Sequence, residues 1–382
     1  MLLRSLECEN FRNHRDTRIE CSPKLNILTG INGAGKTNLL EAISYACLTK
    51  SFFGHKDGAV VQIGEEGFSV VAELESDVSV RHRVSVVYDR TSALKKIAVD
   101  RESAPSVAAM VGMFPVVILA PENREITTGS PAERRRFMDI VLSQASRPYL
   151  DDILEFRRVV RQRNRILTEH RAARTQPGAI LEPWNEALVE RGSRIIRKRS
   201  TFVEEFQPHL SDAFRILTDR SELPSIEYRP LEKESIPSRR ENVEDMLRAE
   251  VKRVAFSELR LGMTLAGPHR DELALGINGM DVRRFASQGQ HKTWLIALKV
   301  AEFTYLKDRR NETPLLLLDD VFGELDASRS DKLFDLVLSI GQTFMTTTDE
   351  ERANRIAGEA GTKLFSVQSG HVKSFETSSV IH

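Results

Sequence analysis

Eight consecutive residues carry the clearest chemistry in this sequence: Gly30-Ile31-Asn32-Gly33-Ala34-Gly35-Lys36-Thr37. The run satisfies G-x-x-x-x-G-K-[ST] at every fixed position. Its glycines let the backbone wrap tightly, so that N–H groups converge on phosphate oxygens. Lys36 is suited to bridge the β- and γ-phosphates of a nucleoside triphosphate, and the Thr37 hydroxyl to ligate Mg²⁺. A second locus is Pro314–Leu318 followed by Asp319 and Asp320. Two adjacent carboxylates facing a triphosphate repel it unless a divalent cation lies between them, so ATP and Mg²⁺ are expected together. Asp319 suits contact with the metal, and Asp320 the carboxylate that orients or deprotonates the attacking water. The third locus is Ser287-Gln288-Gly289-Gln290. Serine with glutamine three residues on is an ordinary capping box. A helix end with free N–H groups also suits a γ-phosphate, and the two readings are compatible.

Strands and helices must hold these groups. An apolar strand, Leu25–Thr29, enters the glycine-rich loop and a helix-forming run, Asn38–Cys47, leaves it. The four leucines Leu315–Leu318 read as a buried strand whose C-terminal end carries the two aspartates, the edge where parallel α/β sheets place ligands. Around these lie a short apolar stretch, Leu2–Leu6, the segments Phe68–Glu75, Val78–Tyr88 and Lys96–Val99, which predict an antiparallel meander, and a buried strand Met113–Ala120. From Ala132 to about Phe214 the texture is helical and Arg-rich: residues 131–174 hold eleven Arg, no Lys and six acidic residues. Residues 219–240 predict an irregular connection, and Glu241–Ser257 a helix. Leu273–Ile277, Asn278-Gly279 and Met280–Phe285 predict a tight hairpin. A helix from His291 to Lys307, one near Asp331–Ile340 and a strand Thr343–Thr347 complete the pattern. The plan is one α/β domain built from both chain ends with a helical arm inserted, divided 1–120, 121–260 and 261–382.

The 382 residues carry 55 Lys+Arg and 55 Asp+Glu, a formal net charge of zero, with 41% hydrophobic residues. That balance excludes a wholly disordered chain and a uniformly basic coat protein, so any polyanion site must be local. Cys8, Cys21 and Cys47 form no disulfide or zinc pattern and read as buried apolar residues. No apolar run approaches a membrane span and no signal peptide is visible, so a cytoplasmic location and no membrane partner are expected.

The order of the three loci, with 29 residues between Gln290 and Asp320, is the order in an ABC-type ATPase. The expected fold is therefore α/β: an ABC-type ATPase head, a P-loop NTPase with a mixed sheet and an antiparallel β-subdomain, plus the inserted arm. In that class one subunit's Ser-x-Gly-Gln signature meets the other's nucleotide. The turn Glu324-Leu325-Asp326 then corresponds to a loop crossing the dimer interface. No histidine stands at Thr346–Asp349, so Thr348 or Asp349 would have to sense the γ-phosphate. Asp320, one methylene shorter than the common glutamate, leans toward slow turnover.

Asn10-Phe11-Arg12-Asn13, the loop Gly30–Thr37, Gly129-Ser130-Pro131 with Arg134–Phe137, Gly267–Asp271, Ser287–Gln290 and Leu316–Asp320 together resemble the RecF family of SMC-related ATPases, from the N-terminus to about residue 350. One departure is Asn123, where Pro121-Glu122 is commonly followed by Asp. The resemblance implies nucleotide contacts from Arg12, Asn13, Gly30, Asn32, Gly33, Ala34, Gly35, Lys36, Thr37 and Asn38, and in trans from Ser287, Gly289, Gln290 and Asp326. It implies Thr37 and Asp319 on Mg²⁺, and catalysis by Lys36 and Asp320. It further implies an ATP-dependent homodimer, weak DNA-stimulated ATPase activity, and binding to double-stranded DNA and single/double-strand gap junctions. Its partners would be RecR with RecO, promoting RecA loading on single strands in recombinational repair and replication restart.

The arm's Arg134, Arg135, Arg136, Arg157, Arg158, Arg161, Arg163 and Arg165 are donors suited to phosphates. They could equally form a solvated face paired with Glu133, Asp139, Asp151, Asp152 and Glu155. Two other classes are weighed. An ABC-type ATPase powering a nuclease, remodelling complex or transporter shares the loci, but no membrane segment favours the last. A small-molecule kinase would not need the Ser-Gly-Gln element.

Overall fold

The computed structural model describes residues 1–218, 222–230, 242–321, 327–357 and 361–375. The chain folds into two compact units. One comprises Met1–Arg124, Ile216–Asp219 and Leu295–His382, the other Glu125–Arg215 and Arg220–Trp294.

The strands in chain order are β1 (Leu2–Phe11), β2 (His14–Glu20), β3 (Leu25–Thr29), β4 (Gly67–Glu75), β5 (Arg81–Asp89), β6 (Leu94–Val99), β7 (Glu102–Ser103), β8 (Val116–Leu119), β9 (Pro224–Arg229), β10 (Glu272–Ile277), β11 (Met280–Asp281), β12 (Leu315–Leu318), β13 (Thr343–Thr347), β14 (Thr362–Gln368) and β15 (His371–Phe375). The first unit holds two six-stranded sheets. One, ordered β2-β1-β4-β5-β6-β7, is antiparallel throughout. The other, ordered β15-β14-β3-β13-β12-β8, is parallel except for the β14–β15 hairpin at its edge. These are the antiparallel subdomain and mixed sheet that the motif order predicts.

Their sequences explain the difference. Strands β3, β12 and β13 are buried at every residue, as expected of parallel strands covered on both faces. β4 alternates, burying Phe68, Val70, Ala72 and Leu74. The helix Lys36–Leu48 between the sheets is buried at nearly every position, so it shows no polar face. Phe11, Tyr45 and Phe68 meet edge to face, each pair of ring centres 5.3 Å apart. Cys8 and Cys47 are buried, and burial pushes the Cys21 and Cys47 thiols up to about 12, which leaves them unreactive.

In the second unit three helices follow one another: Pro131–Ala145, Arg147–Ala173 and Glu182–Leu217, the last of which continues into the first unit. Ser146 separates the first two; its hydroxyl accepts from the Tyr149 N–H, and Pro148 sits in the first turn of the next helix. A fourth helix, Val243–Leu261, starts at Asn242 and stops at Gly262, whose φ of 73° suits glycine. The predicted irregular stretch 219–240 contains strand β9, which pairs with β10. Of its three prolines, Pro237 lies outside the described residues, and Pro224 and Pro230 lie at the strand's first residue and just beyond its last, where proline removes no interior ladder bond. The predicted hairpin forms at Asn278-Gly279, with φ of 51° and 78°, but its second strand ends at Asp281. The Asp281 carboxylate caps a short helical turn, Val282–Phe285, by accepting from the Arg284 N–H. The segment with Ser287–Gln290 belongs to this second unit.

Candidate nucleotide site

The glycine-rich loop joins β3 to the helix Lys36–Leu48, which starts at Lys36, two residues before the predicted run. Gly30, Gly33 and Gly35 have φ of 148°, 77° and 116°, conformations that side chains strain to adopt. Space adds to this at two of them. A Cβ at Gly30 would lie 2.3 Å from the Val367 carbonyl oxygen, and one at Gly35 2.6 Å from the Asn13 side chain.

Three elements lock the neighbouring carboxylates. The Thr37 hydroxyl donates to Asp319 Oδ1 at 2.7 Å, and the Thr346 hydroxyl donates to the same oxygen at 2.8 Å. Thr346 Oγ1 also accepts from the Asp320 N–H at 2.9 Å. One threonine at the end of β13 thereby ties both aspartates, at the end of β12, to the loop. Asp320 has a φ of 50°, a strained value of the kind functional sites retain. Lys36 donates to the Gly30 and Ile31 carbonyls at 2.7 and 2.9 Å. Burial lowers its pKa, and Asp320 and Asp319 act the other way.

These groups line a cleft of about 140 Å³, with Asn32, Gly33, Gly35, Lys36, Thr37, Asn38, Asp319, Asp320 and Thr346 on its walls. The donor set fits Mg²⁺: a hydroxyl and a carboxylate oxygen are hard ligands, and this ion commonly takes its others from phosphates and water.

A second layer braces the loop from behind. Asn13 donates to the Ala34 carbonyl at 2.9 Å and accepts from Asn38 at 2.8 Å. The Gly370 N–H, in the β14–β15 turn, donates to the same Ala34 carbonyl at 2.9 Å. His14 Nε2 contacts the Gly35 carbonyl at 3.0 Å, so it carries the proton. A Cβ at Gly370 would fall 1.9 Å from the Asn13 carbonyl oxygen, so the turn can approach only as glycine. Sequence reasoning passed over Thr346 as the contact residue, and over His14 and Gly370 altogether. Thr346 lay in the flagged stretch Thr346–Asp349, but it is Thr348 and Asp349 that are exposed.

Other expected residues sit elsewhere. Arg12 is not on the cleft wall: it forms a two-bond pair with buried Glu41, at 2.7 and 2.9 Å. Ser287 and Gln290 form the capping box, Ser287 N–H to Gln290 Oε1 at 2.9 Å and Gln290 N–H to Ser287 Oγ at 3.2 Å. Ser287 remains exposed, with Gly289 beside it in the helix Gln288–Arg310. Asp326, with the turn Glu324–Asp326, lies outside the described residues.

The Arg-rich arm separates into two kinds of arginine. Arg163 is buried and bonds Glu258 at 2.9 Å, Asn185 at 2.8 Å and Thr264 at 2.9 Å. Arg134 is buried on Glu272. Neither is available to a nucleic acid phosphate. Arg136, Arg157, Arg158, Arg161 and Arg165 are exposed.

A family model for the RecF/RecN/SMC N-terminal domain matches residues 2–373. The DNA replication and repair protein RecF of Salinibacter ruber is 39% identical over 351 residues, covering 91% of this chain and 85% of that one. Its counterpart from Prosthecochloris aestuarii is 38% identical, covering 92% and 94%. Among solved structures, the recombination mediator protein RecF with ATPrS, described in the RecFOR pathway, superposes with a TM-score of 0.87 at 28% identity, covering 98% of each chain. An ATP complex of the same mediator gives the same score. An Smc head bound to the C-winged helix domain of ScpA, 12% identical with a TM-score of 0.55, shares the fold alone. Among the described residues no helix is long and apolar enough to cross a membrane.

Proposed function

The chain belongs to the RecF family of DNA replication and repair proteins, with an SMC-type ATPase fold, and we propose that it is an ATP-gated DNA-binding protein. The observation that supports this most directly is the hydrogen-bonded chain Thr37–Asp319–Thr346–Asp320, which ties the phosphate loop to two strand ends. Any ligand that competes for the Thr37 hydroxyl acts on Asp319, and through Thr346 on the Asp320 backbone.

In this reading the loop N–H groups and Lys36 hold the triphosphate; similar RecF structures are described with ATP and with ATPrS. Thr37 and Asp319 would hold Mg²⁺. When bound, Mg²⁺–ATP supplies the bridging charge between two chains and the anhydride whose hydrolysis ends that bridge. Asp320 orients or deprotonates the attacking water. Ser287, Gly289 and Gln290 present a helix N-terminus to the nucleotide of a second copy, with Asp326 crossing between the chains. Exposed arginines of the arm, within 121–260, such as Arg158 and Arg165, contact DNA phosphates without reading sequence. The substrate is double-stranded DNA at gap junctions, where the protein acts with RecR and RecO to promote RecA loading; hydrolysis is slow and releases the DNA.

The test is binding to gapped duplex at two salt concentrations, with and without ATP. The proposal expects ATP to strengthen binding and the salt slope to steepen as two basic surfaces join. Binding unaffected by ATP would favour a different ABC-type ATPase, one that powers a nuclease or remodelling complex.

A further inference from the structure

The second unit contains a cleft of about 640 Å³, a volume typical of ligand pockets, that the nucleotide reading does not use. Its lining includes five guanidinium groups and one carboxylate, Asp139. That carboxylate is already committed: it accepts from the Tyr149 hydroxyl at 2.6 Å, from Arg199 at 2.8 Å and from Arg157 at 3.0 Å. Arg135 donates to a backbone carbonyl, that of Asp271, at 2.6 Å. Burial and the neighbouring Arg199 both lower the Arg135 pKa, as expected where cations crowd. Arg161 is exposed at the rim. Between the guanidiniums the wall is aliphatic, and Leu154 is 41% exposed there. His269 donates from Nε2 to the Thr264 carbonyl at 3.1 Å, which leaves its buried Nδ1 as an acceptor with no partner among the described residues.

Cationic rim and apolar wall define a ligand with carboxylates and apolar side chains. We propose that this cleft docks an acidic peptide segment of a partner protein, with an aliphatic or aromatic side chain against Leu154 and carboxylates on Arg135, Arg157 and Arg161. A nucleic acid fits less well. A duplex presents phosphates on a convex, rigid surface, which does not enter a cleft. A single strand is held by stacking on aromatic faces, and the aromatic ring in this wall, Phe156, is 2% exposed.

The experiment uses the full chain without nucleotide, so its outcome is independent of the ATP reading. A short fluorescein-labelled peptide with a central leucine–phenylalanine pair flanked by aspartates is titrated by anisotropy. Control peptides carry asparagines for the aspartates, or serines for the apolar pair. Both controls should bind about tenfold more weakly. Arg161→Glu and Leu154→Asp change exposed positions, and circular dichroism checks that each still folds. Each should weaken the aspartate peptide about tenfold. Equal binding of the controls, or unchanged binding by folded variants, overturns the proposal. So does displacement of the peptide by oligothymidine more readily than by unlabelled peptide, which would assign the cleft to nucleic acid.

Discussion

Single residues in this protein carry more than their type suggests. Arg134, Arg163 and Arg199 are buried at the level of core leucines. By residue type Arg134 and Arg163 read as phosphate donors or part of a solvated face, although each of the three stands at helical spacing within an apolar stripe. Arg163 falls in the row Tyr149, Ile153, Phe156, Val159, Leu167, and Arg199 between Ile195 and Phe202 or Val203. Reading arginine as a surface residue hides that periodicity. The pair Arg163–Glu258, both side chains 1% exposed, gives a sharp expectation. Arg163→Met strands a buried carboxylate and should cost about 3–5 kcal/mol, seen as a lowered denaturation midpoint, whereas adding Glu258→Leu should recover most of it. A double variant as unstable as the single one would contradict this. His269 gives a pH expectation. Burial chiefly, then Arg270 and Arg135, depress its pKa to about 4, so the unfolded chain takes up the proton first. Stability from this residue is full above the ordinary histidine pKa of about 6.5 and is lost as pH falls toward about 4, by about 3 kcal/mol in all. Denaturant midpoints across that interval should fall, and His269→Asn should flatten the slope.

At the scale of elements, the strands that enter the site were the most legible. β12 is an unbroken run of leucines, β3 and β13 are buried at every residue, and both β3 and β12 end at the loci that sequence chemistry had already marked. β9 was hidden because Pro224 and Pro230 frame it, and proline is read first as a breaker. The brace from the β14–β15 turn was hidden for another reason: Gly370 N–H and Ala34 carbonyl are joined only by the fold, and no side chain marks the contact. The capping box at Ser287–Gln290 was visible as a local motif, and its geometry shows that capping and exposure coexist. Ser287→Arg should therefore cost only about 1 kcal/mol in stability for the lost cap. It should leave affinity for a fluorescent ATP analogue unchanged and abolish ATP-dependent dimerisation in light scattering. A variant that still dimerises with ATP would reduce Ser287 to a cap.

For the whole molecule, zero net charge conceals an uneven layout. Exposed arginines are dense on the arm helices, Arg136, Arg157, Arg158, Arg161 and Arg165 among them, while the phosphate loop faces Asp319 and Asp320. Composition showed the balance and the motifs showed the loop, but only the coordinates separate buried arginines from exposed ones. The discontinuous first unit has a different consequence, for biosynthesis. Among the described residues, β3, which carries the phosphate loop, pairs only with β13 and β14, and β8 only with β12. Long-range parallel pairing of this kind forms slowly. A nascent chain that has emerged as far as residue 310 holds the whole loop on a strand with two bare edges. A fragment ending there should bind no fluorescent ATP analogue and should aggregate on gel filtration, whereas the full chain should bind the analogue and elute without aggregating. Competence for nucleotide should thus wait for β13 and β14 to emerge, so that products truncated before them are silent rather than half-active.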